Sequence, residues 1–376
     1  MGKSHCMGIL YERYGMKVGL LIYGNLNILS GGYIYDRILV EGLRRLGNDV
    51  KVIAIPYRQY VSHLQDNFSR KLQLSLISQN LDVMIQDELS HPSLFLLNRK
   101  LKGKIKYPIV SLLHLLQDPN SHTCLLKKLH IWIEKMYLKT MDGLICNSHH
   151  TKITALQRIG AQIPTTIAYP AATHIECPQN LDLIEERAMQ PGPLRILYLG
   201  NLIRRKGALD LIMALKDLDC SLWKLDIVGR LDMEENYVKL VRDTINKYEI
   251  MSHTTIHGTL TGTELSRQIN ENHILVLPSY YEGFGMVYLE CMGHGLPAIG
   301  TTAGAVDEII THDVNGFLIE PGNITALRKY ISIFMNDRNK LIRMGKAAVK
   351  RFESHPSWDD TIIKIHKFLN EMINHE

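Results

Sequence analysis

The 376-residue sequence has no uncharged apolar run approaching the roughly 18 residues that a membrane-spanning helix needs. Residues 1–15 also lack the apolar core of a secretory signal peptide. The six cysteines are scattered without a Cys-x-x-Cys pair, which argues against a disulfide framework and a zinc site. These absences predict a cytoplasmic protein with buried free thiols at Cys6, Cys124, Cys146, Cys177, Cys220 and Cys291.

Signatures of metal and nucleic-acid binding are missing as well. The sequence has no strong Asp-x-Asp motif, no zinc finger and no RNP-like aromatic pattern. A tandem repeat of short period is also absent. We therefore expect a protein that needs no metal cofactor and has no nucleic-acid partner.

Charge is distributed unevenly along the chain, although the net charge is only +5. Residues 1–170 contain 21 Lys and Arg against 11 Asp and Glu, whereas residues 171–376 contain 22 against 27. The first half is therefore basic and the second half mildly acidic. A basic half indicates an anionic partner, such as a phosphorylated acceptor or an anionic membrane surface.

Short apolar strands alternate with helical stretches along the chain, a pattern typical of an α/β protein with parallel sheets. Residues Lys17–Tyr23 and Arg195–Leu199 are each followed by a glycine-containing loop and a helix, so we predict two facing Rossmann-like domains. The alternation of strand-like and helical patterns stops over residues 173–193, so this segment is predicted to be the linker between the domains. The predicted domains are residues 1–172, grouped with the C-terminal helix 357–376, and residues 194–356.

The other predicted elements follow the same alternation. Predicted strands cover Val50–Ile55, Val83–Gln86, Ile109–Leu113, Gly143–Cys146, Lys224–Val228, Thr255–His257, Ile274–Pro278 and Ala298–Gly300. Predicted helices cover Ile34–Leu46, Ala208–Leu218, Met286–His294 and Trp358–Ile373, and Asn315-Gly316 is predicted to form a turn. The last helix is amphipathic and could pack on either domain.

The segment from Ser279 to Pro297 carries the strongest functional pattern. It places a glycine-containing loop at the carboxyl end of a predicted strand, where α/β proteins bind their ligands. The N–H groups at the start of the following helix suit a phosphate. Glu282 and Glu290 can face the same crevice, and carboxylates accept hydrogen bonds well from vicinal sugar hydroxyls.

A second loop, Gly200–Gly207, lies between a predicted strand and a predicted helix. Lys206 on this loop can reach a diphosphate as a point charge, and Arg204 or Arg205 can form a bidentate contact with it. The sequence does not distinguish which arginine turns inward, and a solvated basic turn is the alternative.

The Glu-x7-Glu spacing in YEGFGMVYLECMGHGLPAI resembles the signature of retaining glycosyltransferases of the GT-B architecture, family 4 (glycosyl transferases group 1). The resemblance is strongest from Leu194 to Pro321 and weaker toward the N-terminus. It implies that Glu290 binds the donor ribose. It also implies that Glu282, with the backbone N–H groups of Gly283 and Phe284, holds the donor sugar, beside Gly285 at the helix start.

The same resemblance extends to other loops. Lys206 matches a phosphate-binding lysine, whereas Asn201 stands where family members commonly carry an arginine. Gly31 and Gly32 match a loop that approaches the donor phosphate from the opposite domain, although a plain tight turn is the alternative. His114 matches a histidine that contacts the transferred sugar, although a packed polar residue is the alternative.

Two further residues, Asp118 and Glu308, are candidates for the site. Asp118 follows His114 in the same predicted loop. Glu308 could cap a helix start and shape the donor pocket, while Ala305 replaces one of the paired glycines common in the family. Asn147-Ser148 predicts a helix start, which makes metal binding by the following histidines improbable.

Two basic stretches occur in the first half of the chain. They comprise Arg99, Lys100, Lys102, Lys104 and Lys106, and the segment 127–135 with Lys127, Lys128, Trp132 and Lys135. A solvated face is one interpretation. The other is docking on the inner face of an anionic membrane, where the enzyme would reach a lipid-linked acceptor.

The resemblance implies transfer of a hexose-type sugar from a nucleotide-diphosphate sugar to a hydroxyl acceptor, with retention and without a metal. The acceptor could be lipid-linked, a growing glycan or a small molecule, as in polysaccharide or glycolipid biosynthesis. A nucleotide-sugar epimerase of similar fold and a catalytically silent nucleotide-sugar-binding protein are the alternatives. The Glu-x7-Glu pattern argues against the first, whereas Asn201 and Ala305 make the second conceivable.

Overall fold

The computed structural model describes residues 15–28, 30–116, 125–173 and 181–374, which form two α/β units, each around a six-stranded parallel sheet. The first sheet contains β1 (Lys17–Tyr23), β2 (Asp49–Ile55), β3 (Val83–Asp87), β4 (Ile109–Leu113), β5 (Gly143–Cys146) and β6 (Thr165–Ile167). The second contains β7 (Leu194–Leu199), β8 (Trp223–Val228), β9 (Thr254–Gly258), β10 (Ile274–Val276), β11 (Ala298–Thr301) and β12 (Gly316–Ile319). The predicted α/β class with two facing Rossmann-like domains is confirmed.

Helices cover both faces of each sheet, as a parallel sheet buried on two sides requires. In the first half they are α1 (Gly31–Arg45), α2 (Tyr60–His63), α3 (Arg70–Ile77), α4 (His91–Leu94), α5 (Leu97–Leu101), α6 (Leu125–Leu138) and α7 (His149–Ile159). In the second half they are α8 (Asp182–Met189), α9 (Ala208–Leu215), α10 (Glu235–Lys247), α11 (Gly262–Glu271), α12 (Met286–Gly293), α13 (Ile324–Asn336), α14 (Arg338–Glu353) and α15 (Trp358–Asn374).

Strand order determines where ligands can enter. The first sheet has the order β2-β1-β3-β4-β5-β6, and the second has the order β12-β11-β10-β7-β8-β9. The direction of winding therefore reverses between β1 and β3 and between β7 and β10. At such switch points the loops at the carboxyl ends of neighbouring strands separate and leave a crevice.

Several predicted boundaries need correction. Helix α1 begins at Gly31, so the two glycines form the first helical turn instead of a loop. The predicted linker contains a helix, α8, whose buried Ala188 joins the core of the second domain and whose buried Ile184 lies against Gly295 and Gly345. Strands β6 and β12 were missed, and Gly316 begins β12 instead of ending a turn.

The cysteines of the described segments are free, as predicted, but only two of the three are buried. Cys146 and Cys291 are buried, whereas Cys220 is exposed. Cys6, Cys124 and Cys177 lie outside the described residues, as do Asp118 and residues 174–180 of the predicted linker.

The terminal helix α15 packs against the first domain, although the chain reaches it from the second. One face of the helix joins the core around β1, β3 and β5, with Ile362, Ile365, Phe368, Leu369 and Met372 buried. Gly42 of α1 gives room for this contact, because a Cβ atom at position 42 would lie 2.6 Å from Ile362. The close helix crossing therefore depends on the small residue in α1.

This packing makes a stability prediction for α15. Ile365 is fully buried whereas Ile363, two residues earlier, is 58% exposed. We expect Ile365→Ala to lower the free energy of unfolding by about 2–5 kcal/mol, because it leaves a cavity. Ile363→Ala is the matched control and should change it by less than about 0.5 kcal/mol. Urea unfolding followed by circular dichroism measures both, and equal effects would contradict the observed packing.

Candidate active site

The loops after β7 and β10 meet at the switch point of the second sheet. Lys206 Nζ lies 2.5 Å from Glu282 Oε1, and Arg205 Nη1 lies 3.6 Å from Glu282 Oε2. Arg205 also donates to the Tyr281 carbonyl at 2.5 Å and accepts from the Tyr280 N–H at 2.7 Å through its own carbonyl. The two loops are thus joined by both side-chain and backbone contacts.

Burial and charge act in opposite directions on this ion pair. Burial raises the pKa of the Glu282 carboxyl, but the charges of Lys206 and Arg205 outweigh it and hold the pKa below its usual range. Burial lowers the pKa of the Lys206 ammonium, and Glu282 offsets this only in part. Glu282 is therefore an anion that is 5% exposed and is held by two cations.

The arginine that turns inward is Arg205. Arg204 points outward, where its guanidinium lies 5.6 Å from the centre of the Tyr237 ring. Asn201, at the position where the resemblance implies an arginine, donates from its amide to the sulfur of Met233 at 3.2 Å. The inward cations of this loop are thus Arg205 and Lys206, and both come from its short 3-10 turn.

Helix α12 begins directly behind Glu282. Gly285 caps its start with φ 95°, a left-handed conformation that glycine adopts without strain. Gly295 follows its end with φ 72°, as its sequence position predicted. Arg187 of α8 donates to the carbonyls of His294 and Gly295 at 3.0 and 3.1 Å, so the end of the helix is capped by a half-buried cation.

The opposite wall of the cleft belongs to the first domain. His114, at the end of β4, lies against the start of α1, since a Cβ atom at Gly32 would be 3.2 Å from the His114 ring. Glu88 accepts hydrogen bonds from the backbone N–H groups of His114 and Leu115. His114 Nε2 lies 3.2 Å from Asp36 Oδ1.

The charge of His114 follows from these neighbours. Burial lowers the pKa of His114, but Asp36, followed by Glu88 and Asp87, outweighs burial and raises the pKa to about 9. His114 is consequently an imidazolium at neutral pH. The cleft therefore has a histidine cation on one wall and the paired Lys206 on the other.

The walls touch at Gly283. A Cβ atom at this position would lie 2.0 Å from the His114 carbonyl oxygen, so only glycine allows the observed approach. The Gly283 carbonyl accepts a hydrogen bond from Ser148 Oγ at 3.1 Å, and the His114 carbonyl accepts from Asn147 Nδ2 at 2.7 Å. At the cleft edge, a Cβ atom at Gly31 would lie 3.1 Å from Cε of Met286.

A second contact between the domains is made by Glu308. Its carboxylate accepts from the backbone N–H groups of His149 and His150 at 3.0 and 2.8 Å. Glu308 thus caps a helix start, as expected, and the helix is α7 of the first domain. The predicted cap Ser148 lies beside it and accepts from the Thr151 N–H. Tyr169 donates its hydroxyl to the same carboxylate at 2.8 Å.

Glu290 and Phe284 lie near the connection between the domains. Glu290 Oε1 accepts a hydrogen bond from the Thr173 hydroxyl at 2.8 Å. Phe284 is buried, and its ring centre lies 5.6 Å from those of Tyr169 and His355. Phe284 thus anchors the loop through packing, while Glu290 is placed to accept from hydroxyl groups.

The structure brings most of the predicted residues together around one cleft. Gly32, His114, Lys206, Glu282, Gly283 and Gly285 line or shape it, with Arg205 joined to Glu282. Asn201 lies on the outer side of its loop, and Asp118 is outside the described residues. Asp36 and Glu88 were not predicted, because a single polar residue in an apolar helix or loop gives no periodic signal. Ser148 was predicted only as a helix cap, and its contact with Gly283 was not.

Two general features accompany this site. In the described parts of the chain, no three His, Cys, Asp or Glu side chains are grouped so that they could hold a metal ion. The helices of those same segments include none with the length and apolar character to cross a membrane.

Comparisons with known proteins agree with this architecture. Residues 182–351 match the family glycosyl transferases group 1. An uncharacterized 41.2 kDa protein in the cps region of Klebsiella pneumoniae is 25% identical over 68% of this chain and 68% of its own length. An uncharacterized glycosyltransferase of Methanocaldococcus jannaschii is 31% identical over 47% of this chain, and that match spans 48% of its length.

Solved structures extend the likeness to the first domain. The crystal structure of Anabaena HepE in complex with UDP and glucose superposes with a TM-score of 0.74. The superposition covers 96% of this chain and all of HepE at 17% identity, so it supports the two-domain GT-B fold.

The Gly283 contact makes a prediction about domain closure. An ordinary contact begins near 3.4 Å, so the 2.0 Å approach in Gly283→Ala requires the domains to separate by more than about 1 Å. We expect small-angle X-ray scattering to give a larger radius of gyration for this variant. Gly31→Ala is the matched control, because its Cβ would meet only the flexible tip of Met286. Indistinguishable scattering from Gly283→Ala and the wild type would show that this contact does not limit closure.

Proposed function

We propose that this chain, a glycosyltransferase of the GT-B architecture with a glycosyl transferases group 1 domain over residues 182–351, transfers a hexose-type sugar with retention. The donor would be a nucleotide-diphosphate sugar, and the acceptor a hydroxyl group on a lipid-linked intermediate, a growing glycan or a small molecule. The donor would bind mainly to the second domain, and the acceptor to the first.

One observation carries this proposal: the buried Glu282 anion is held by Lys206 and Arg205, and the next residue, Gly283, lies against the His114 carbonyl of the opposite domain. A carboxylate accepts hydrogen bonds from sugar hydroxyls, and the two cations stand beside it for a diphosphate. Glu282 would therefore bind the transferred sugar, while Lys206 and Arg205 bind the phosphates next to it.

Negative charge develops on the diphosphate as the glycosidic bond breaks. Lys206 has three N–H donors and uses one on Glu282, so it can turn the others to a phosphate. The N–H groups at the starts of α12 and α1 add two positive helix ends. These groups would stabilise the leaving group electrostatically without a metal. The acceptor hydroxyl would attack the anomeric carbon on the same face, forming the new C–O bond as the bond to the diphosphate breaks and passing its proton to the departing phosphate oxygen. We expect activity to persist in EDTA.

The ribose would bind to Glu290, which accepts from the Thr173 hydroxyl in the structure and so has the chemistry to accept from ribose hydroxyls. The likeness to a protein crystallised with UDP and glucose makes a uridine-diphosphate hexose the first donor to test. Closing the cleft would exclude water from the donor and so limit its hydrolysis.

The site predicts a specific loss in Glu282→Gln. We expect kcat/KM for transfer to fall about 100-fold or more, because the neutral amide no longer complements Lys206 or the sugar hydroxyls. Release of UDP, GDP or ADP from a panel of nucleotide sugars measures the rate and identifies the donor base. Glu264→Gln, an exposed carboxylate of α11, is the matched control and should leave the rate unchanged.

Two results would count against the proposal. Transfer that survives Glu282→Gln at the wild-type rate would remove Glu282 from the site. Conversion of the donor to an epimerised nucleotide sugar without any acceptor would show that the protein is an isomerase and not a transferase.

We also propose that the first domain docks on an anionic membrane. A basic aromatic face, defined by Phe68, Arg99, Lys100, Lys128, Trp132 and Lys135, joins α5, α6 and the turn before α3. Phe68 is 73% exposed and Trp132 is 51% exposed, and Lys100 Nζ lies 4.7 Å from the centre of the Phe68 ring. Exposed aromatic rings surrounded by cations suit the interface of an anionic bilayer.

Vesicle binding tests this face. Replacing both Lys128 and Lys135 by Gln should weaken binding to phosphatidylglycerol vesicles about 30-fold, because each lysine contributes about 1 kcal/mol near the surface. The matched control replaces Lys239 and Lys247, exposed lysines of α10 in the second domain, and should bind as the wild type. Wild-type protein that does not float with these vesicles at low salt would refute membrane docking.

A further inference from the structure

Asp36 is a buried carboxylate within an otherwise apolar face of α1. It is 0% exposed, and its neighbours on the same helix, Tyr33, Tyr35, Leu39 and Val40, belong to the domain core. A charged group in such a place costs free energy unless a partner stabilises it. Its Oδ1 atom lies 3.2 Å from His114 Nε2, so the imidazole is that partner.

The His114 ring is enclosed on several sides. Asp36 faces it from α1, Asp87 and Glu88 face it from the end of β3, and the Tyr35 ring stands edge-on to it with centres 5.1 Å apart. Gly32 closes the side of the ring that carries Cδ2. These contacts direct Nε2 toward α1, and no residue that the structure describes hydrogen-bonds the other ring nitrogen, Nδ1.

The three carboxyl groups near the ring have different tasks. The two carboxylate oxygens of Glu88 accept hydrogen bonds from the backbone N–H groups of His114 and Leu115, so Glu88 positions the loop. Burial raises the pKa of Asp87 well above its usual range, and its Oδ1 accepts from the Leu89 N–H. Asp36 alone of the three hydrogen-bonds the imidazole ring itself.

We propose that Asp36 is a positioning residue, whose buried carboxylate keeps the His114 imidazole protonated and oriented so that Nδ1–H donates to a hydroxyl of the transferred sugar. The inference rests on the proposed function for the identity of that hydroxyl. The Asp36–His114 pair itself does not depend on it. An imidazolium donor is stronger than a neutral one, and the carboxylate behind it prevents the ring from turning.

The Asp36–His114 pair determines how the transfer rate should change with pH. The pKa of His114 is raised to about 9, so the imidazolium is present below that pH and is lost above it. Removing the Asp36 charge should bring this loss down toward the usual histidine value of about 6.5. Asp36→Asn should therefore retain most of the transfer rate at pH 6 and fall about 30-fold below the wild type at pH 8.

Two measurements test the proposal. The first is the rate of nucleotide release with donor and acceptor, from pH about 5.5 to about 10, for the wild type, Asp36→Asn and His114→Gln. Glu41→Gln removes an exposed carboxylate from the same helix as the matched control and should keep the wild-type profile. The second is the titration of the histidine rings by NMR, in which the signal missing from His114→Gln identifies His114.

The outcomes separate this inference from the proposed function. A His114→Gln variant that transfers sugar at the wild-type rate removes His114 from the reaction and overturns both assignments. If His114→Gln is slow but Asp36→Asn keeps the wild-type pH profile, the role of Asp36 fails while the proposed function stands. If Asp36→Asn does not fold, or no transfer is found, the wild-type titration decides. A His114 pKa above 8 supports the pair, and one at or below 6.5 overturns it.

Discussion

A carboxylate buried between two loops is the constraint on which the second domain's site depends. Glu282 is almost fully removed from water, and an unpaired charge there would cost several kcal/mol. Lys206 and Arg205 supply the compensating charge from the neighbouring switch-point loop, which ties the ends of β7 and β10 together. The site is therefore preorganised before any ligand arrives, because the groups that would bind it already fix one another.

The closeness of the two domains is a separate constraint, and backbone atoms set it. Gly283 meets the His114 carbonyl, while Ser148 and Asn147 hydrogen-bond the two backbone groups that approach each other. Glu308 adds a carboxylate to the start of α7, where the N–H groups have no helical partners. Because these contacts cross the cleft without using Glu282 or Lys206, the residues that join the domains differ from those proposed to hold a ligand.

The sequence predicted the fold and singled out Lys206 and Glu282, which the structure brings together, but it did not single out the supporting residues. Strands such as β1 and β4 are continuous apolar runs, and the Glu-x7-Glu segment combines a loop, two glycines and a helix. Strand β6 has three residues and only one of them is buried, so it carries almost no pattern. Arg204 and Arg205 are adjacent on a 3-10 turn, and the contacts that distinguish them come from distant parts of the sequence. Arg205 contacts the backbone of Tyr280 and Tyr281, whereas Arg204 lies over the Tyr237 ring. The pairing of Asp36 with His114 cannot be read from the sequence, because it depends on β4 bringing His114 against α1.

The cations on the two walls of the cleft, Lys206 and His114, are stabilised in the same way. Lys206 and His114 are both cations in a poorly solvated place, where burial alone would lower their pKa values and favour the neutral forms. Each is paired with a buried carboxylate, Glu282 or Asp36, so each keeps its charge and its direction. Lys206 has further N–H groups to offer and His114 retains Nδ1, so the pairing leaves donors free instead of consuming them. A substrate entering the cleft would meet charged donors that require little reorganisation, which is the condition under which such groups stabilise a developing charge most effectively.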